Sequence, residues 1–103
     1  MPQSYPWLLV YGTRYQFLMR YTLKIMPTLL RQGPYRFYFY SGDVGEPHHI
    51  HVDAGDSSAK FWLTPVSLHY NLGFSARELR AIERVVLQHQ KKFVEAWNAY
   101  FGT

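Results

Sequence analysis

The sequence predicts an α+β domain: a three- or four-stranded antiparallel β-meander with a long C-terminal helix packed on one face. Three observations predict it. Short aromatic and β-branched runs separated by turn residues fill the middle of the chain. A capping-box spacing then opens a helical periodicity. Finally, the apolar residues of the strands fall into three pairs that can lie under that helix.

The first strand is Pro34-Tyr35-Arg36-Phe37-Tyr38-Phe39-Tyr40, bounded by Gly33-Pro34 before it and Ser41-Gly42-Asp43 after it. A turn-rich link through Gly45 and Pro47 leads to the second, His49-Ile50-His51-Val52. The polar cluster Asp53 to Ser58 has a length that joins antiparallel neighbours. Ala59-Lys60-Phe61-Trp62-Leu63 follows as the third strand, ended by Thr64-Pro65, and Val66 to Tyr70 reads as a short edge strand. In Ser75-Ala76-Arg77-Glu78 the hydroxyl and the carboxylate can each satisfy an orphan N–H, with Phe74 and Leu79 placed as a hydrophobic staple. Leu79, Ile82, Val86, Phe93, Trp97 and Tyr100 give the helix its apolar stripe. His89 fills the gap in that stripe, and a break into two helices near His89-Gln90 is the alternative.

Composition narrows the function classes. The chain has 103 residues, 48% of them hydrophobic and 18% aromatic, enough for one core and too apolar for disorder. The absence of cysteine excludes a thiolate nucleophile, a disulfide framework and a cysteine-based metal site. No apolar run approaches the roughly 18 residues of a membrane span, and no signal-peptide pattern is seen, so a cytoplasmic protein without a membrane partner is expected. The net charge of +4 is uneven: Arg14, Arg20 and Lys24 lie in residues 1–25, which hold no acid. The rest is nearly neutral, so any contact with nucleic acid must come from a local cluster. Residues 1–25 are expected to be an N-terminal extension, with a strand or helix on the core as the other reading, and 26–103 a single domain.

Alternation sorts the sheet faces. If Phe37 and Phe39, Ile50 and Val52, and Phe61 and Leu63 face the helix, the opposite face carries Arg36, Tyr38, Tyr40, His49, His51, Asp53, Lys60 and Trp62. Three readings of that face compete. In the first, His49 and His51, about 7 Å apart on one strand face, exchange protons while Lys60 and Arg36 hold a phosphoryl group, as in metal-independent RNA cleavage, and Tyr38, Tyr40 or Trp62 stacks on a base. In the second, the two imidazoles bind a transition metal together with Glu46, Asp43 or Asp53. In the third, the face is solvated or meets a protein partner. His48 faces the other way, His89 reads as a hydrogen-bonded boundary residue, and Arg77, Arg80 and Arg84 form a solvated helix face. The first reading leads, and it needs no cofactor and no metal.

The segments Met26-Pro27-Thr28-Leu29-Leu30-Arg31, Tyr35 to Ser41 with Asp43 and Glu46-Pro47, His49-Ile50-His51-Val52, Ala59-Lys60-Phe61-Trp62-Leu63 and Gly73 to Leu79 together resemble the small bacterial domain-of-unknown-function family 4160. Members usually carry a second proline where this chain has His48. The resemblance implies a toxin component of a toxin–antitoxin-like module, with a small cognate antitoxin-like protein encoded nearby as its partner. It carries Arg36, Glu46, His49, His51 and Lys60 as the polar positions of interest. Together with the open sheet face, it gives the leading expectation of a toxin acting on RNA or translation, and the alternative of a non-enzymatic binding or regulatory module.

Overall fold

The three apolar pairs form the floor on which the helices lie. The computed structural model describes residues 27–103, so the expectation for residues 1–25 lies outside the described residues. Five antiparallel strands run in sequence order across one sheet: β1 (Thr28–Gln32), β2 (Tyr35–Tyr38), β3 (His49–Ala54), β4 (Ser57–Leu63) and β5 (Val66–Leu72). The expected three or four strands are therefore five. The added one, β1, is formed by Thr28 to Gln32, which precedes Gly33-Pro34. The edge strand also runs to Leu72 rather than stopping at Tyr70.

Three of the four connections have only two residues: Gly33-Pro34, Gly55-Asp56 and Thr64-Pro65. In the first two, glycine takes the leading position with φ of 58° and 59°, a conformation that suits the right-handed twist of a tight hairpin and that a side chain would strain. The Asp53–Ser58 cluster is mostly strand for this reason, and only Gly55-Asp56 turns.

Phe37, Phe39, Ile50, Val52, Phe61 and Leu63 are all buried on the helical face, as alternation requires. The helix is two: α1 (Ala76–Gln88) and α2 (Gln90–Phe101). The Ser75 hydroxyl accepts from the Glu78 amide at 3.1 Å and the Glu78 carboxylate accepts from the Ser75 amide at 2.9 Å, so both halves of the capping box form. The break comes at His89, whose backbone N–H and Nδ1–H both donate to the Val85 carbonyl, at 3.1 and 2.9 Å. The Gln90 amide side chain then donates to the Leu63 carbonyl at 2.9 Å and ties the start of α2 to the end of β4. The bend lets α1 pack on β5 while α2 reaches β4. Ile82, Val85 and Val86 of α1 and Phe93 and Trp97 of α2 complete the core. No helix among the described residues is long and apolar enough to cross a membrane.

Phe93 is fully buried and stacked on Phe37 at a centroid distance of 5.9 Å. Its replacement in Phe93→Ala should cost about 3–5 kcal/mol, read as a lowered midpoint in urea unfolding. An unchanged midpoint would show that α2 does not secure the sheet.

Candidate functional site

The fourth connection, from β2 to β3, is long, and it builds the site. It opens with a single 3-10 turn, Ser41–Asp43, in which the Asp43 amide donates to the Tyr40 carbonyl at 3.0 Å and the Tyr40 amide donates to Asp43 Oδ2 at 2.9 Å. The turn aims that carboxylate back over the start of β3. There Oδ2 lies 2.9 Å from His49 Nε2 and 3.2 Å from His51 Nε2. One ligand atom from each of Asp43, His49 and His51 falls within 4.8 Å of the others.

The pair of histidines does lie opposite Ile50 and Val52, but it is not open to water. His49 has no exposed surface, His51 has 7% and Asp43 has 8%. The expectation of a solvated proton-transfer pair is corrected on this point, because the long connection folds down over the two rings. His49 also reaches the helical layer at the sheet's end, its ring 4.8 Å from that of Trp97. His49 and His51 stand 5.0 Å apart centroid to centroid at right angles.

The remaining predicted residues do share this face. Tyr38, His51, Lys60 and Tyr70 form one cross-strand row over β2, β3, β4 and β5. Tyr38 stacks on His51 at 5.3 Å and donates to Asp53 Oδ2 at 3.0 Å, while Tyr40 packs its edge on His51 at 4.8 Å. Lys60 donates to Glu46 at 3.0 Å and lies 4.7 Å over the Trp62 ring. Arg36 donates to the Thr28 hydroxyl at 2.8 Å and lies 4.3 Å over the Tyr38 ring. Both cations expected to hold a phosphoryl group are thus engaged within the protein. Of the three carboxylates considered as metal partners, Asp43 alone reaches both imidazoles. Glu46 pairs with Lys60 at 3.0 Å and lies 3.8 Å from His49 Nδ1, and Asp53 accepts from Tyr38. His48 points away, its Nε2–H donating to Asn98 Oδ1 at 2.8 Å, and Arg77, Arg80 and Arg84 are exposed.

The electrostatics follow from this packing. Burial acts to raise the Asp43 pKa, but His49, His51 and the Tyr40 amide outweigh it, and the carboxyl is held well below the usual carboxylate range. The arrangement can hold a charged or metal-ligating centre, and it keeps that centre from bulk solvent.

The protein-family model described as Domain of unknown function (DUF4160) matches residues 35–98, more than half of the chain and all of the cluster. The chain belongs to this family. No curated protein and no solved structure matches it. The match takes in β2 to β5, both helices up to Asn98 and the β2–β3 connection that carries Asp43.

Burial pushes the Tyr38 phenol well above its usual range, and its hydrogen bonds with Tyr40 and Asp53 push the same way. The folded pKa lies above the unfolded one, so this stabilisation is complete below about pH 10 and is lost as pH rises beyond it. Thermal unfolding between mildly and strongly alkaline pH should show a declining Tm with a shallower slope in Tyr38→Phe. Identical slopes would remove Tyr38 as the source.

Proposed function

We propose that this domain is the toxin-like member of a two-protein module. It works by binding, with the small protein encoded nearby as its cognate partner, rather than by cutting RNA through general acid–base chemistry. The observation that carries this reading is the burial of the His49–His51 pair beneath its own connection. A general base must come within hydrogen-bond reach of the proton it takes, and here the rings face Asp43, Tyr38, Tyr40 and Trp97. The charge balance points the same way. Among the described residues, Lys60, Arg36 and Arg31 stand on the face or its rim against Asp43, Glu46 and Asp53, three charges of each sign, so this face offers no excess of positive charge to a phosphate backbone.

Support for a protein partner comes from β5. It is the last strand of the sheet among the described residues, seven residues long, and holds no lysine, arginine, acid or proline. Leu68 is 44% exposed and Leu72 is 62% exposed, with Tyr70 also open. Proteins ordinarily blunt such an edge with charge, proline or cover, and an added strand supplies cover through backbone hydrogen bonds with side-chain pockets for specificity. The domain acts on translation, in this reading, by occupying a target that the cognate protein otherwise keeps from it.

Co-expression with the product of the adjacent gene should yield a complex that Leu68→Lys and Leu72→Lys each weaken at least about tenfold, the effect of losing about 1.4 kcal/mol. Growth arrest caused by the domain alone should persist in a folded Lys60→Ala variant. Loss of arrest in that variant, or no complex with the wild type, would overturn the reading.

A further inference from the structure

We infer that Asp43, His49 and His51 form a binding site for one divalent first-row transition metal ion of the zinc class, with Asp43 Oδ2, His49 Nε2 and His51 Nε2 as its protein ligands.

The argument begins with the tautomer of His49. Its Nδ1 lies 2.9 Å from the Pro47 carbonyl oxygen, which can only accept, so Nδ1 carries a proton. In the neutral ring, Nε2 is then a bare lone pair. That atom is fully buried and has no hydrogen-bond partner. What it faces at 2.9 Å is Asp43 Oδ2, a second acceptor, and the same oxygen lies 3.2 Å from His51 Nε2. A buried acceptor turned on a carboxylate is costly unless something positive stands between them. A proton on Nε2 is the competing occupant, forming an ion pair with the same oxygen at 2.9 Å that is not aligned as a hydrogen bond.

A metal ion satisfies all three atoms at once. Bonds of about 2.0–2.2 Å to imidazole nitrogen and carboxylate oxygen in tetrahedral geometry place neighbouring ligand atoms about 3.4 Å apart. From 2.9 and 3.2 Å the two distances to Asp43 Oδ2 open by up to about 0.5 Å, while the ligand atoms, which spread to as much as 4.8 Å, draw together by up to about 1.4 Å through rotation of the imidazole rings. His51 Nε2–H now donates to Asp43 Oδ2 at 3.2 Å, and the ring offers a lone pair there once its proton moves to Nδ1, the metal replacing that hydrogen bond. The outer groups are those a metal site requires: the Pro47 carbonyl fixes the ring of His49, and the Tyr40 amide fixes the Asp43 carboxylate. Two imidazoles and one carboxylate suit zinc, iron(II), nickel or manganese rather than calcium or magnesium. Three protein ligands leave a further coordination position open to water or to another ligand.

The test uses the full chain purified without a histidine tag, stripped with chelator and titrated with zinc chloride alone, with bound metal counted by elemental analysis. One zinc per chain is expected. His49→Ala and Asp43→Asn should each weaken binding by at least the roughly 10–100-fold that losing an outer-shell partner costs, while His69→Ala leaves it unchanged. Because a ligand variant can misfold, the wild type is also read directly: zinc should shift the Nε2 resonances of His49 and His51 in nitrogen NMR and leave those of His89 in place. Binding well short of one ion per chain, binding of equal strength in the folded variants, or zinc-induced shifts confined to other histidines would each overturn the site.

Discussion

One carboxylate oxygen holds the long connection of this protein onto its sheet. Asp43 Oδ2 receives the Tyr40 amide from its own turn and faces both imidazoles of β3. The Ser41–Asp43 turn would otherwise be a surface excursion between two strands. Because that oxygen accepts from the Tyr40 amide and from His51 Nε2–H and lies 2.9 Å from His49 Nε2, the turn closes the end of the sheet, and Tyr40, Glu46 and Pro47 take up positions around the histidines. Burial of a polar ring costs least when such partners are supplied: His51 has Asp43, and His49 has the Pro47 carbonyl at Nδ1 but no hydrogen-bond partner at Nε2.

The same contact sets the character of the face. A sheet surface with Arg36, Lys60, His49 and His51 has the ingredients of phosphoryl chemistry, yet each group is engaged within the protein before any substrate arrives. The aromatic rings reinforce this: Arg36 lies over Tyr38, Tyr38 stacks on His51, and Lys60 lies over Trp62. Cations held over rings and against carboxylates forfeit much of their attraction for an outside anion. What stays available is the edge of β5, with Tyr70 and Leu72 on the Lys60 face and Leu68 on the helical face across the bulge, and whatever the buried cluster can coordinate, which is why a binding role fits better than a cleaving one.

Alternation was enough to place Ile50 and Val52 under the helices, and the pairing of Tyr38, His51 and Lys60 in one row follows from it. The capping box at Ser75 and Glu78 was equally legible, since it is a contact between residues three apart. β1 was not assigned, although Gly33-Pro34 with residues of strand type on both sides is the signal that could have found it. Val85 was also absent from the expected helix stripe and is buried. The burial of His49 and His51 could not be read from parity, because parity says which side of a sheet a residue takes and nothing about what covers that side. The cover depends on a non-local fact: Asp43 reaches back across six and eight positions to two rings. Its proximity to a His-x-His in a link rich in glycine and proline was a hint of a ligand, but Glu46 and Asp53 shared that hint equally.

The order of the strands has a consequence for how the molecule assembles. Every strand pairs with its neighbour in sequence, and three of the four links span two residues. Chain-closure entropy is therefore small almost everywhere, and rapid formation of the hairpins is expected. The β2–β3 link is the exception, and Asp43 can meet both imidazoles only once β3 is in place beside β2. The three-residue cluster is thus a product of late assembly, and its integrity reports that the whole meander has reached its final register.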